Sequence, residues 1–526
     1  MRFRRLSAPA LLGLGAAVAG VVGVVSALTP EFADRFDLVR AILPPGVPEA
    51  ARVLALSLGL ALVWLSRSLA RRKQRAWQLA VVLVAVSAAA HLVKGLDVEE
   101  ASVHLLLLAA LWRYRREFTA PGDPATLRPF VRALAALAAL GVLATLRITD
   151  RMTLSERIEE ALGLLALALA ARALYLWLRP LALRVRQTPP ERRHAERLVR
   201  EHGHDSLAFF SLRRDKSYFF SPSGRSFLAY RVVNGCALVA GDPIGPPGDL
   251  PELFDSFRAL ARAQGWRLAV LGAGTELLPL YRRCGLRPIY LGDEAYVRPE
   301  EFSLEGRAIR KVRQSVHRLE RAGYRVRFVR PEEVTPELRA ELERVSHEWR
   351  GRWPERGFTM AMDALFAYGD GVLAIAECGA GEVGGFLQLV PAPASGGYSL
   401  ATMRRSKQTP NGLMEHLVVE TIEWARQRGA NEVSLNFAVF GEFLRGGDEL
   451  GLPRRALRFG LRRLDFVFQI ERLLCFNRKF FPSWRPRYIC VERVLDFPVV
   501  GLAYLHAESL LIPPGPWVKS RDVTAA

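Results

Sequence analysis

The residues in this sequence best suited to chemistry are cations set at helical spacing. In Gly306–Tyr324, GRAIRKVRQSVHRLERAGY, the residues Arg307, Arg310, Lys311, Arg318 and Arg321 fall at separations of three, four or seven. Ile309, Val312 and Val316 form the apolar side, so the stretch reads as one amphipathic helix. The row contains a single acid, Glu320. A face this cationic calls for an anionic partner or for open water. His317, beside that row, and His416 are the rings whose intrinsic pKa suits a general base. A second cationic stretch interleaves Arg478, Lys479, Arg485 and Arg487 with Phe476, Phe480, Phe481 and Trp484. It suits phosphate binding, or a core strand pair with exposed charges. His202-Gly203-His204-Asp205 has no further ligand set near it, so no metal is expected there. The five cysteines form no C-x-x-C pair and read as buried, reduced thiols. No motif calls for a cofactor.

The elements that must position these residues divide by composition. The chain has 526 residues and a net charge of +20, which suits RNA, anionic lipid or both. Leu, Ala and Val crowd the part before about Leu178, and mixed charge follows. The boundary falls near Pro180–Glu191, giving a membrane domain over 1–180. About six spans are expected there: Ala8–Leu28, Ala50–Leu65, Trp77–Val93, Ala101–Trp112, Pro129–Leu146 and Ile158–Leu178. Val25-Ser26-Ala27 resembles a signal cleavage site, but the spans that follow favour a retained helix. Cations cluster at Arg2, Arg4 and Arg5, at Arg67–Arg75, at Arg113–Arg116 and at Arg179–Arg186. One alternation satisfies all four clusters: both termini and the large domain are cytoplasmic. His91, His104 and Arg132 are the main intramembrane ionisable residues and suggest anchoring rather than transport.

The remainder reads as α/β. After a charged connector, Glu191–Asp205, strands are expected at Phe209–Leu212, Lys216–Ser221, Arg225–Val233 and Cys236–Ala240. Leu250–Gln264 is a helix, Arg267–Gly272 a strand, Glu276–Cys284 a helix and Ile289–Val297 a strand. The pattern then repeats. Tyr324–Val329 is a strand and Pro336–Trp349 a helix. Val372–Glu377 and Gly384–Pro391 form a hairpin, and Tyr398–Arg404 is a strand. Leu413–Arg428 is a helix capped by Asn411-Gly412, and Glu432–Ala438 a strand. Phe497–Leu511 reads equally as an interfacial or a packed terminal helix.

Strand, loop, helix and strand in this order resemble the core of GNAT acyltransferases, where a helix N-terminus holds donor phosphates. The resemblance implies two tandem GNAT-like folds, over 190–300 and 301–495, with a tail at 496–526. The R/Q-x-x-G-x-G/A loop of coenzyme A users is not matched by Lys407–Gly412, so acetyl-CoA is not the expected donor. Gly241–Gly245, Gly292–Ala295, the Gly306–Tyr324 helix, Pro410–Glu415, Leu435–Phe440 and Phe476–Tyr488 converge, in that order, on one family. They resemble the catalytic domain of phosphatidylglycerol lysyltransferases, the multiple peptide resistance factor family, in its actinobacterial form.

That resemblance implies transfer of an aminoacyl group, lysine by family precedent, from aminoacyl-tRNA to phosphatidylglycerol of the cytoplasmic leaflet. It implies a lowered negative surface charge and resistance to cationic peptides. Its membrane part is shorter than usual for the family, and the sequence carries no lysyl-tRNA synthetase, so tRNA charged elsewhere is expected. Arg307, Arg310, Lys311 and Arg318 are then assigned to the acceptor stem. Arg478, Lys479, Arg485, Arg487 and Tyr488 are assigned to the lipid phosphate or the CCA end. Asp242, Glu294 and Glu415 are the motif acids for a lysyl ammonium, although Asp242 equally closes a turn and Glu415 equally serves a helix dipole. Asn411 caps the donor helix, and Asn436 is the oxyanion donor or a satisfied buried amide. His317 and His416 are the candidate bases. The alternatives are a tRNA-dependent transferase acting on a peptidoglycan precursor, and a non-catalytic membrane-tethered RNA or lipid binder.

Overall fold

The computed structural model describes residues 7–29, 47–95, 97–148, 156–178, 187–355, 357–379, 381–439 and 470–512. The cation clusters expected at Arg2–Arg5 and Arg179–Arg186 lie outside them. The chain divides into two compact units: Met1–Leu183 with Ala259–Trp266, and Arg184–Arg258 with Arg267–Ala526.

The first unit is helical: α1 (Ala8–Leu28), α2 (Val47–Leu69), α3 (Gln74–Gly95), α4 (Val98–Arg113), α5 (Leu127–Ile148) and α6 (Glu156–Leu178). Among the described residues these six helices overlap the six expected segments. Four stretches, Ala8–Leu28, Ala51–Leu69, Gln74–Val93 and Ala161–Leu178, are long and apolar enough to cross a membrane. At 16 residues α4 is about 24 Å long, short of a hydrocarbon core of about 30 Å. Small residues let α1 and α2 approach closely: a Cβ on Gly20 would lie 2.5 Å from the Gly59 carbonyl oxygen. His91 and His104 are buried with ring centroids 5.1 Å apart. Ser87 pairs with His104 at 3.1 Å, and the Ser26 hydroxyl donates to Asp97. These polar groups meet partners inside the bundle, which fits packing contacts.

The second unit is built on one sheet. It contains α7 (Pro189–His202), β1 (Ser217–Phe220), β2 (Phe227–Val233), β3 (Cys236–Ala240), the part of α8 (Leu250–Ala263) before Ala259, β4 (Arg267–Ala273), α9 (Leu278–Arg283) and β5 (Arg287–Val297). There follow α10 (Arg310–Arg321), β6 (Arg325–Val329), α11 (Pro336–Arg350), β7 (Val372–Glu377), β8 (Val383–Ala392), β9 (Gly397–Arg405), α12 (Leu413–Gln427) and β10 (Val433–Val439). The described chain ends with α13 (Ile470–Asn477), β11 (Ser483–Val491) and α14 (Phe497–Ala507). The eleven strands run β1-β2-β3-β4-β11-β5-β10-β9-β8-β7-β6. β3–β4 and β9–β10 are parallel, and the other pairs are antiparallel. No break falls at the expected boundary of 300: β5 pairs with β11 on one side and β10 on the other.

Two readings change, and two that stood with alternatives are decided. Ala208–Leu212 is a 3-10 helix rather than a strand, because all five residues are buried and a short apolar run has no diagnostic period. The basic helix begins at Arg310, after Gly306 at φ 88° and a turn, so Arg307 precedes it. The stretch 483–491 is a full central strand. The helix near the end of the chain is packed: Val500, Ala503 and Ala507 join the core under β2 and β3.

Candidate active site

The C-terminal end of β3 leads into Gly241 at φ 74°, and the turn after it presents Asp242. β5 and β11 lie side by side with Glu294 opposite Arg485 and Gly292 opposite Arg487. Residues two apart on a strand share a face. That places Glu294 with Tyr296, and Arg485 with Arg487. The chain after α7 brings in Asp205 and Ser206. Together these residues enclose a cavity of about 260 Å³ whose walls include His204, Asp205, Asp242, Glu276, Glu432 and Arg485, with Arg487 at its floor.

Arg487 organises the floor. Its guanidinium donates to both oxygens of Asp205 at 2.6 Å, to Glu294 at 2.7 Å, and to Ser206 and Tyr296 at 2.9 Å each. It also donates to the Gly272 carbonyl at 3.3 Å. Glu294 is fully buried and accepts further from Ser206 and Ser434. Burial works against the charge on Arg487, yet Asp205 and Glu294 outweigh it and drive the guanidinium pKa up. Burial likewise works against ionised Asp205, and Arg487 overrides it, holding that carboxyl below its usual range. A buried pair of this kind persists only with its hydrogen bonds complete.

Asp242 is different. Its oxygens accept from the Tyr281 hydroxyl at 2.6 Å and the Gly274 amide at 2.9 Å. A side chain at 274 would crowd the carboxylate, with a Cβ 3.0 Å from Oδ2. Burial, followed by the neighbouring Asp205 charge, pushes the Asp242 carboxyl up to about 7. The cation of the floor is already taken by two other carboxylates. Arg485 forms the rim: it pairs with Glu432 at 2.5 Å and lies 3.9 Å above the Tyr296 ring.

The structure thus brings together Asp242, Glu294, Arg485 and Arg487 from the residues singled out in sequence. It changes what two of them can do. Every guanidinium nitrogen of Arg487 is committed inside the protein, which leaves no donor for a lipid phosphate. Glu294 is committed to Arg487 and two serines, which leaves no room for a substrate ammonium. The other candidates lie elsewhere in the unit. Arg307, Arg310 and Lys311 are exposed, and Arg318 donates to the Asn411 carbonyl at 2.7 Å; Asn411 does not cap α12, because left-handed Gly412 takes the N-cap position and no side chain bonds there. Lys479 pairs with Glu415 at 2.7 Å, and Arg478 is exposed. Tyr488 packs edge-on against Tyr290. Asn436, at φ 78°, spends its amide on the Met360 and Leu400 carbonyls, which fits a satisfied amide better than an oxyanion donor. His317 is exposed on α10. His416 is buried in α12, and burial pushes its pKa down. Neither histidine lines the cavity.

Asp205, Ser206, Tyr281, Tyr296, Glu432 and Ser434 were not singled out for these roles. Tyr296 had a signal, two residues after Glu294 on the same strand face. Asp205 has no such signal: in sequence it only closes the charged connector Glu191–Asp205 beside His202 and His204.

Comparison with known proteins places the chain in a family. Residues 196–491 match the family model described as phosphatidylglycerol lysyltransferase, C-terminal. A lysylphosphatidylglycerol biosynthesis bifunctional protein LysX from Mycobacterium sp. (strain JLS) is 40% identical over 324 residues, 59% of this chain and 29% of that protein. The protein of the same name from Rhodococcus opacus (strain B4) is 41% identical over 317 residues, 59% of this chain and 28% of that protein. The chain therefore spans less than a third of these curated relatives. The solved structure of L-PGS from Bacillus licheniformis superposes with a TM-score of 0.55 at 25% identity, covering 62% of this chain and 97% of that one. With more than half of its length inside the family model, the chain belongs to the phosphatidylglycerol lysyltransferase C-terminal domain family.

Proposed function

We propose that this protein transfers an aminoacyl group, lysine by the precedent of its relatives, from aminoacyl-tRNA to the glycerol headgroup of phosphatidylglycerol. The observation that carries the reading is an acid-lined hollow in a strongly basic chain. Asp205, Asp242, Glu276 and Glu432 line the cavity together with Arg487, which pairs with Asp205, and Arg485, which pairs with Glu432, while the chain as a whole carries +20. A cationic surface gathers polyanionic RNA and anionic lipid. An anionic cavity accepts the one cationic part of the donor, the amino groups of its aminoacyl residue. Asp242 is the carboxylate assigned to that ammonium, which would restore its ionised form on binding. Arg487 and Glu294 act as positioning residues that fix the cavity floor.

In the reaction a glycerol hydroxyl of the lipid attacks the aminoacyl carbonyl carbon. The tetrahedral oxyanion collapses, the tRNA ribose oxygen leaves, and the proton of the attacking hydroxyl ends on that ribose hydroxyl. One ester is made and one broken, so catalysis rests on alignment and on stabilising the oxyanion. Exposed Arg307, Arg310, Lys311 and Arg318 are assigned to the acceptor stem, and Arg478 with Lys479 to phosphate. The continuous sheet is read as two GNAT-like halves joined edge to edge. The helices of the first unit are read as a multi-pass anchor with the catalytic unit on the cytoplasmic side, where charged tRNA is found. Lipid mass spectrometry of cells with and without the protein tests the reading. Lysylated phosphatidylglycerol that appears only with the protein is expected; unchanged lipids alongside charged tRNA would refute it.

A further inference from the structure

α14 carries an apolar stripe that the protein leaves uncovered. Val499 and Leu502 lie three apart on one face of α14, and Leu495 stands in the 3-10 turn, Val494–Asp496, just before it. Leu495, Val499 and Leu502 are 87%, 36% and 56% exposed, whereas Val500, Ala503 and Ala507 on the adjoining face of α14 are buried in the core. The exposure is not fraying. Arg267 donates to Asp496 at 3.3 Å at the start of the helix. At its end Glu508 accepts the Phe358 amide at 2.7 Å and the Thr359 amide at 3.2 Å. The helix is therefore pinned at both ends with its leucines held outward. Arg493 is exposed just before the stripe and His506 just after it.

We propose that α14 is an interfacial foot: it lies in the plane of the bilayer with Leu495, Val499 and Leu502 among the acyl chains and Arg493 at the anionic headgroups. Exposed aliphatic side chains bury at the headgroup–acyl boundary, and a neighbouring arginine meets the anionic headgroups there. Among the described residues four helices of the same chain are long and apolar enough to span a membrane, which makes a lipid surface the occupant to expect. RNA offers such a stripe no hydrocarbon, and leucine and valine offer bases no ring to stack on. The foot gives the second unit a second attachment besides its covalent tether and fixes which side of the sheet meets the lipid. The inference rests on membrane attachment and does not depend on which group is transferred.

The test places a spin label at Leu502→Cys in the full chain, with Cys378 and Cys475 replaced by alanine, in nanodiscs containing phosphatidylglycerol. Collision with oxygen, which concentrates in lipid, is compared with collision with a water-soluble nickel chelate. The expected result is preferential access to oxygen at 502, and to the chelate at a control label on Glu343→Cys of exposed α11. Preferential access to the chelate at 502 would overturn the proposal, as would shielding from both reagents, which would mean that another protein surface covers the stripe. A second measurement uses Leu495→Ser with Leu502→Ser. Transfer to phosphatidylglycerol in nanodiscs is expected to fall at least fivefold, with transfer to short-chain phosphatidylglycerol in detergent unchanged. An equal loss in both would overturn the proposal. Should neither form support transfer even before substitution, the reaction assignment fails, and the label still decides the foot.

Discussion

At the scale of single residues, the buried Arg487 and half-buried Asp242 have opposite tolerances. Replacing Arg487 by methionine leaves Glu294 buried without its cation, the situation that costs about 3–5 kcal/mol. Denaturant unfolding of Arg487→Met is expected to show a loss of that order, and the double variant with Glu294→Gln should recover part of it. Asp242→Asn should be tolerated. The folded carboxyl titrates at about 7, above the roughly 3.9 of an unfolded chain. The folded state therefore binds the extra proton between those values. The stability it contributes is full below about pH 4 and is lost as pH rises towards 7. Asp242→Asn should flatten that slope in thermal unfolding followed against pH. It should also remove an acid limb near pH 7 from the transfer rate, since only the ionised carboxylate holds an ammonium. The motif acids and cations were legible as types in the sequence. Their pairing was not, because Glu294 and Arg487 are 193 positions apart and only the β5–β11 register brings them together.

At the scale of elements, α10 is the clearest case of pattern becoming structure. Val312, Val316 and Leu319 are buried while Arg310, Lys311 and Arg318 point to solvent. Replacing those three cations by glutamine should leave the fold intact. It should weaken RNA binding and reduce the slope of log affinity against log salt by about 1 per lost phosphate contact. A filter-binding salt titration of full-length protein checks this. Periodicity located most helices and strands to within a few residues. It failed at Ala208–Leu212, where uniform burial removes any alternation, and at the start of α10, where Gly306 and the turn after it delay the helix. It also left β11 as one of two readings, because cations at 485 and 487 in a half-buried strand look like a binding stretch until their carboxylates are seen.

At the scale of the whole molecule, the first unit depends on close contact between backbones. Gly20→Leu must displace the Gly59 backbone, 2.5 Å from even the first added carbon. It is expected to lower the unfolding temperature in detergent by several degrees, with Gly15→Ala much milder because its added carbon meets only a leucine methyl at 3.3 Å. In the second unit the position of β11 carries a consequence for biogenesis. A strand made from residues 483–491 wedges between β4 at 267–273 and β5 at 287–297. During synthesis β4 and β5 leave the ribosome nearly two hundred residues before the strand that separates them. Until it arrives, two sheet edges stand open and two carboxylates await their cation. The nascent chain thus waits, with its apolar N-terminal helices already emerged, as an unfinished sheet that the late strand closes and neutralises in one step.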